Sequence, residues 1–556
     1  MIKLVLAGIN ARFTHSNLAL YYLRNYIKDL QYEVYLLEFS INQYYLDILR
    51  YLYEKKPDII AFSVYIWNSA IIRSLIPEIK KILPDCKIIL GGPEVSYNAP
   101  NWLRRLPEID FIVCGAGETG FYHVLEHELR LSDRIISIRN PSLSDIPFPY
   151  SERDFPDLNK KYIYYESSRG CPFKCSYCLS SRNDQVLEFR DIELVKKELR
   201  YLIEKKPKII KFVDRTFNAD REHARNIWRF LIATKPETKF HFEIFPALLE
   251  EKDFQILSRC PEDLFQFEIG IQSTNPATLK AINRYDEWKS TGEKIERLLS
   301  LRNIHIHVDL IAGLPFENMS SLQKSFDKIY SLRADHFQLG FLKILPGTEM
   351  DTKRDEFEIK CLEEAPYRIL ENKWLSYSEF ILIRKIENLL NIFYNSQKFK
   401  TTIENLVKKY DSPFKFFSDL KDFCEKMNYE IETKNWHSNS SLLFEFIEKQ
   451  FPEMRSFFFD CLRWDWCYIT NSHFFPELLR TNENKKAKKI GFRYLKQLAE
   501  KGNIKYKNWN FTVSDLKKAV FFIPVSNKFK QEYMNVNSIA VFLTINNRKT
   551  YLMLKL

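Results

Sequence analysis

The sequence predicts two successive α/β domains followed by a mainly α domain that ends in a small β-sheet. Three observations carry this expectation. Short, nearly continuous apolar runs alternate with helical stretches over residues 1–135, the alternation returns between about 163 and 350, and long aromatic-rich helical stretches replace it from about 365. At 556 residues the chain exceeds what one ordinary core holds. No apolar run is long enough to span a membrane. The start, MIKLVLAGINARF, reads as a buried first strand and not as a secretory signal, so the expected location is cytoplasmic.

In the first domain (1–140) the expected strands are Lys3–Ile9, Glu33–Phe39, Asp58–Val64, Lys87–Leu90 and Asp110–Cys114, with helical patterns such as Ala70–Leu83 between them. Such patterning makes a parallel sheet covered on both faces, and ligands of these sheets sit beyond the carboxyl ends of the strands. Those ends carry Asn10–Asn17, Tyr65–Asn68, Gly91-Gly92-Pro93-Glu94-Val95-Ser96 and Gly115-Ala116-Gly117-Glu118. Glycine-bearing turns gathered on one rim suit a large flat ligand that approaches the backbone closely.

Residues 141–160 hold Pro141, Pro147, Pro149 and Pro156 without periodicity and read as a linker. The second α/β domain (161–360) has expected strands Ile163–Ser167, Ile209–Asp214, Lys239–Phe245, Leu264–Ile271, His305–Ile311 and His336–Leu342. Six β/α units fall short of a closed eight-unit barrel and give a partial (β/α)6 barrel with its site at the strands' carboxyl ends. The third domain (361–556) has helical stretches at Trp374–Tyr394, Phe414–Met427, Ser441–Phe451 and Lys488–Lys501. Its expected strands are Ala519–Pro524, Ser538–Thr544 and Lys549–Leu556, with Asn546-Asn547 as the last turn.

Of ten cysteines, seven are scattered among apolar residues and read as small buried hydrophobes. The other three crowd into Ser168-Arg169-Gly170-Cys171-Pro172-Phe173-Lys174-Cys175-Ser176-Tyr177-Cys178. Intervals of four and three on a Gly/Pro-bearing loop turn Cys171, Cys175 and Cys178 toward one centre, and thiolates suit zinc or an iron–sulfur cluster. No fourth Cys or His lies beside them, so a closed zinc site is disfavoured, and a cluster held by three residues keeps one iron open. The formal charge of +11 fits a Lys-rich surface better than a nucleic-acid partner, and the run Lys485-Lys486-Ala487-Lys488-Lys489 reads as a solvated helix start.

C-x-x-x-C-x-x-C after a barrel's first strand resembles the signature of the radical S-adenosylmethionine (SAM) superfamily, over roughly residues 160–350. The resemblance implies a [4Fe–4S] cluster on Cys171, Cys175 and Cys178 whose open iron binds SAM's amino and carboxylate groups. It also implies that Tyr177 packs near the adenine. Phe212-Val213-Asp214-Arg215-Thr216-Phe217 is similar to the family's acidic turn, placing Asp214 near the SAM amino group, although the usual Gly-Gly-Glu form is absent. Glu268-Ile269-Gly270-Ile271-Gln272-Ser273 resembles the segment flanking the ribose and methionine, implicating Glu268 and Gln272. Asp309-Leu310-Ile311-Ala312-Gly313-Leu314-Pro315 resembles the turn backing the adenine, implicating Gly313, and Leu345-Pro346-Gly347-Thr348 follows the sixth strand as in relatives.

The first domain resembles the Rossmann-like cobalamin-binding domain that precedes many radical SAM domains. That resemblance implies corrinoid contacts at Asn10, Ser63, Gly91, Gly92, Pro93, Gly115, Gly117 and Glu118. The Asp-x-His-x-x-Gly motif is missing, and His15, in the right general loop, reads as a hydrogen-bonded histidine and not as a cobalt ligand. The third domain resembles the DUF4080 proteins, through Leu462-Arg463-Trp464-Asp465-Trp466 and its aromatic surroundings. Asp465 reads as a packing residue of a helical core.

Together these resemblances imply a cobalamin-dependent radical SAM enzyme that methylates an unactivated carbon. One SAM would methylate reduced cobalamin, a second would give the radical that abstracts hydrogen, and flavodoxin or ferredoxin would supply electrons. Radical cyclisation or rearrangement without methyl transfer, and a non-enzymatic corrinoid or iron–sulfur carrier or sensor, remain as alternatives. A tRNA methylthiotransferase is disfavoured, because that group has three further amino-terminal cluster cysteines and only Cys86 and Cys114 precede the linker here. The substrate is not legible.

Overall fold

A computed structural model describes residues 1–139, 141–181, 186–284, 286–430, 435–470, 472, 474–500, 505–506, 509–510, 516–534, 538–545 and 548–555. The chain divides into two compact units. The first comprises Met1–Asp335 with Leu339–Phe380, and the second His336–Gln338 with Ile381–Leu556.

The first unit opens with β1 (Ile2–Asn10), α1 (Leu18–Tyr26), β2 (Tyr32–Ser40), α2 (Tyr45–Glu54), β3 (Ile59–Ser63) and α3 (Ser69–Ile82). There follow β4 (Lys87–Gly91), α4 (Pro93–Ser96), α5 (Ala99–Arg105), β5 (Phe111–Cys114), α6 (Gly117–Glu126) and β6 (Ile135–Ser137). The strands form one parallel sheet in the order β2-β1-β3-β4-β5-β6. β6 was not expected: it has only three residues, two of them exposed, and so lacks the long apolar run that marks its neighbours. Alternation along β1 sends Val5, Ala7 and Ile9 into one core and Leu4 and Leu6 into the other, so helices cover both faces. The register Gly8–Ser63–Gly91–Val113 brings the strand ends to one level and builds a common rim.

The barrel strands are β7 (Ile163–Tyr165), β8 (Ile209–Phe212), β9 (Lys239–Glu243), β10 (Phe265–Gln272), β11 (His305–Ala312) and β12 (His336–Phe341). They lie in the order β12-β11-β10-β9-β8-β7, with parallel pairing from β7 to β11. All six expected strands are present. One face is apolar: Phe265, Phe267, Ile269 and Ile271 of β10 and Ile306, Val308, Leu310 and Ala312 of β11 are buried. Trp228, on helix α7 (Arg221–Thr234), packs against Phe267 and Phe217, which marks this face as the outer, helix-covered one. The opposite, inner face carries Lys211, His241, Glu243, Glu268, Gly270, Gln272, His307 and Asp309.

Residues 141–160 are tied down on the first sheet's side. Arg24 of α1 makes a two-pronged ion pair with Asp154 (2.5 and 2.7 Å), both side chains 6% exposed, and Asn25 donates to the carbonyls of Phe148 and Pro149. Next to it Ser16 Oγ donates to the Tyr162 carbonyl (2.8 Å), and Lys161 pairs with Glu38 (3.3 Å).

The second unit contains the helices Lys400–Val407, Pro413–Lys426, Trp436–Gln450, Arg455–Ile469 and Asn482–Glu500. An antiparallel sheet, Val520–Phe522 with Ser538–Ile545 and Arg548–Lys555, also belongs to it. The helices Lys400–Val407 and Arg455–Ile469 were not expected, and the Asn546-Asn547 turn lies outside the described residues. Asp465 does the work of packing: its carboxylate accepts from Thr401 N, Thr402 N and Thr402 Oγ1 (2.8, 2.9 and 2.7 Å), capping a neighbouring helix whose first amides lack partners. Replacing it by Ala strands those donors, and we expect Asp465→Ala to lose about 3 kcal/mol in chemical denaturation of the second unit's signal. An unchanged midpoint would contradict this role.

Candidate functional site

The chain leaving β7 pairs Ser168–Arg169 with Glu188–Phe189, then turns at Gly170, whose φ is +95°. A Cβ there would lie 2.5 Å from the Val186 carbonyl oxygen, so glycine alone makes this turn. The cysteine loop follows, past the carboxyl end of the first barrel strand. Ser176 N donates to the Ile282 carbonyl (3.2 Å) and Met350 N to the Ser176 carbonyl (2.8 Å), so the loop is pinned from two sides. Cys175 is buried while Cys171 and Cys178 are half-buried. Burial pushes the Cys175 thiol up, Arg284 opposes this, and the Cys178 and Cys171 sulfurs add to the rise, as three convergent sulfurs must.

Arg284 is the main residue that sequence reasoning missed. Its Nη2 donates to the Gly270 carbonyl (2.7 Å), its guanidinium lies over the Phe245 ring (4.8 Å), and Tyr177 bonds to it beside Cys175. Its side chain is 10% exposed, and Nε has no partner among the described residues. Nothing in Asn283-Arg284 alone signals this, since the contacts come from three separate strands and loops. Tyr177 is half-buried and bonds Arg284, and Phe173 packs on Phe245 (4.4 Å) to close the wall.

Asp214 is placed beside the loop, but its carboxylate already accepts from Ser167 N, Ser167 Oγ and Ser168 Oγ (3.0, 2.5 and 2.7 Å). Burial pushes it up to about 6 against those bonds. It braces the start of the cysteine segment, while Thr216, two residues on, lies 3.6 Å from Cys171 Sγ. Gln272 has φ +69° at a bulge in the β10–β11 pairing, which folds its side chain back over Gly270. Glu268 points into the inner face and bonds His241 (3.0 Å). Gly313 turns with φ +97° against Ile369 and Phe380, and its carbonyl accepts from Asn372 Nδ2 (2.9 Å).

On the first domain's rim, Gly92 has φ +107°, and a Cβ would meet the Val64 carbonyl oxygen at 2.5 Å. Pro93 starts α4, and Ser96 Oγ receives Gly115 N (3.1 Å), drawing the second glycine turn (Gly115–Gly117) alongside. A Cβ on Gly91 would lie 3.7 Å from the Val113 carbonyl oxygen, and the Tyr65 and Trp67 rings stack (4.3 Å, 7°) just past Ser63, with Trp67 42% exposed. Asn10 is engaged with Glu38 and the His15 carbonyl. His15 Nδ1 is hydrogen-bonded to the Tyr164 hydroxyl (2.5 Å), which is the hydrogen-bonded role expected of it. Glu118 meets the barrel directly: Arg169 bonds it at 2.9 Å while also gripping Glu166 with two bonds of 2.9 Å.

Comparison with known proteins adds three matches. Residues 4–125 match the B12 binding domain, 165–329 the radical SAM superfamily, and 355–542 a protein family of unknown function, DUF4080. The chain thus joins a B12-binding, a radical SAM and a DUF4080 domain. The 2-(S-pantetheinyl)-carbapenam-3-carboxylate methyltransferase of Streptantibioticus cattleyicolor is 26% identical over 336 residues, 53% of this chain and 48% of that one. The cobalamin-dependent radical SAM methyltransferase TokK of Streptomyces tokunonensis is 24% identical over 357 residues, 56% of this chain and 51% of that one. The chain therefore spans about half the length of these curated relatives.

Among solved structures, the radical SAM methyltransferase TsrM from Kitasatospora setae, with cobalamin and a [4Fe–4S] cluster bound, is 17% identical with a TM-score of 0.54. The match covers 64% of this chain and 75% of TsrM. The cobalamin-dependent SAM radical enzyme OxsB, with aqua-cobalamin and SAM bound, is 16% identical with a TM-score of 0.57, over 93% of this chain and 83% of that one. These likenesses establish the fold.

The radical SAM match implies a [4Fe–4S] cluster and SAM, and the B12-binding match implies cobalamin. The residues fit both. Three soft sulfur donors stand on one loop, and Arg284 lies beside it, opposing the burial that raises the Cys175 thiol. The turns at Gly92 and Gly115, drawn together by the Ser96–Gly115 bond, and the exposed Trp67 ring put small residues and an aromatic face on the rim where a corrin would lie. After anaerobic reconstitution the protein should carry about four irons, and Cys175→Ala should lose them together with absorbance near 400 nm. Iron retained in that variant would contradict the assignment.

Proposed function

We propose that this chain is a cobalamin-dependent radical SAM methyltransferase acting on an unactivated carbon. The observation that carries the reading is the Arg169–Glu118 ion pair. It joins the rim of the B12-binding domain to the residue two places before Cys171, so the two carboxyl-end rims meet here within one compact unit, as two cofactors acting on one substrate would require. When bound, the cluster supplies a low-potential electron for SAM cleavage and the corrinoid carries the methyl group to be delivered.

The chain's residues perform the rest. Cys171, Cys175 and Cys178 hold the cluster and leave one iron for SAM. Arg284, paired with Asp286 at 3.5 Å and with an Nε that has no partner among the described residues, suits the methionine carboxylate. Tyr177, locked by Arg284, and Gly313 border the adenine, and Gln272 reaches across Gly270 toward the ribose. Asp214 fixes Ser167 and Ser168, and through them the strand that presents the cysteines. Gly91, Gly92, Pro93, Gly115 and Gly117 make the corrinoid cradle, while Phe173 and Phe245 keep water from the cluster's flank. A flavodoxin or ferredoxin type of protein would donate the electron.

The test is an anaerobic assay of reconstituted protein with SAM and a low-potential reductant. We expect 5′-deoxyadenosine together with at least one equivalent of S-adenosylhomocysteine, the mark of methyl uptake by the corrinoid. 5′-Deoxyadenosine without S-adenosylhomocysteine would point to radical rearrangement, and neither product would leave a carrier or sensor.

A further inference from the structure

Helix α6 starts on the first domain's rim at Gly117 and runs out, about 13 Å past Glu118, in His123-Val124-Leu125-Glu126-His127. Positions three and four apart on a helix are neighbours on one face, so His123, Glu126 and His127 project side by side. One ligand atom from each, an imidazole nitrogen or a carboxylate oxygen, lies within 4.8 Å of the other two. Donors bound to one zinc ion at about 2.0–2.2 Å stand at most about 4.4 Å apart, so a small rotation of the side chains closes the set.

The histidines are also prepared for a ligand. His127 Nδ1 lies 3.0 Å from the His123 carbonyl oxygen, which can only accept, so Nδ1 carries the proton and Nε2 of the neutral ring keeps its lone pair. A carbonyl that holds one ring nitrogen while the other is left for an ion is how metal-binding histidines are oriented. The two rings are already in contact, their centroids 4.2 Å apart. The helix end that carries them is closed by backbone bonds. Glu128 N donates to the Leu125 carbonyl and Leu129 N to the Val124 carbonyl (3.0 Å each), and Leu129 packs on the first domain's core. Glu128 and Leu129 take φ of +53° and +60° to make this closure. His123 is half-buried and Glu126 and His127 are exposed, so an ion reaches the set from solution. Arg130, the next cation along the chain, pairs with Glu128 (2.9 Å) and not with Glu126.

We propose that His123, Glu126 and His127 bind one zinc ion at the end of α6. Two imidazoles and a carboxylate suit zinc, and three donors from a single helical turn form an irregular set that an ion with no geometric preference of its own accepts, water completing the coordination. The ion cross-links the last turn of the helix whose first turn presents Glu118 to Arg169. The site lies apart from the residues assigned to the cluster, SAM and the corrinoid, and it does not depend on the methyltransferase reading.

The test titrates zinc chloride into tag-free, reconstituted holoprotein, whose cluster cysteines are occupied, by calorimetry. One equivalent should bind with a dissociation constant of about 10 μM or tighter. X-ray absorption at the zinc edge should show nitrogen and oxygen neighbours at about 2.0–2.1 Å. His127→Ala should weaken binding at least about tenfold and Glu126→Gln about threefold, with iron content unchanged, since both side chains face solvent. Three results would each overturn the proposal: no binding at about 100 μM zinc, an affinity unchanged in His127→Ala, or sulfur neighbours at about 2.3 Å, which would put the ion on cysteines.

Discussion

The arrangement depends on the guanidinium of Arg169. It sits at the start of the cysteine segment, grips Glu166 at the end of the first barrel strand, and reaches the first domain's rim at Glu118. Glu118 is 4% exposed, so its charge is tolerated only because Arg169 is there, and losing such a partner costs about 3–5 kcal/mol. A buried pair of this kind does little for net stability compared with an apolar contact, but it sets register. Here the register is that of two strand-end rims. Arg24–Asp154, His15–Tyr164 and Lys161–Glu38 repeat the same theme along one edge, so the first domain is clamped to the barrel by directional bonds and not by an apolar seam alone.

Around that clamp the barrel sheet is two-faced. Its outer side is an aromatic core running from Phe212 through Phe242 and Phe267 to Trp228, which leaves the inner side free to carry charge. Local strain marks where the two roles meet. Gly170, Gln272 and Gly313 all adopt positive φ: Gln272 closes β10, Gly313 follows β11, and Gly170 turns the chain into the cysteine loop. The cost of these conformations is offset by the packing beneath them. The return is that backbone and side chains at the rim point across the opening.

Much of this was legible in the sequence. Period-two and continuous apolar runs named the barrel strands and five of the first sheet's strands, because burial on one or both faces writes itself into local composition. β6 escaped because it is short and mostly exposed, and Arg455–Ile469 because its apolar residues surround the helix and leave no periodic stripe. The cysteine spacing, the glycine turns and Tyr177 were readable since they depend on neighbours in the chain. Arg284 was not, for its partners Gly270, Phe245 and Tyr177 come from distant segments. The His241–Glu268 bond needed the strand register before its members could be seen as neighbours. Asp214 was expected near the SAM amino group; its bonds to Ser167 and Ser168, which brace the loop, are contacts only coordinates give.

The central claim is that the two rims share one chamber, and the most direct test is magnetic. In reconstituted protein holding both groups, the electron paramagnetic resonance signal of the cob(II)alamin form should broaden or split when the cluster is reduced to its paramagnetic state, because the two spins border the same space. A cob(II)alamin signal identical with the cluster oxidised or reduced would place the groups far apart and contradict the account.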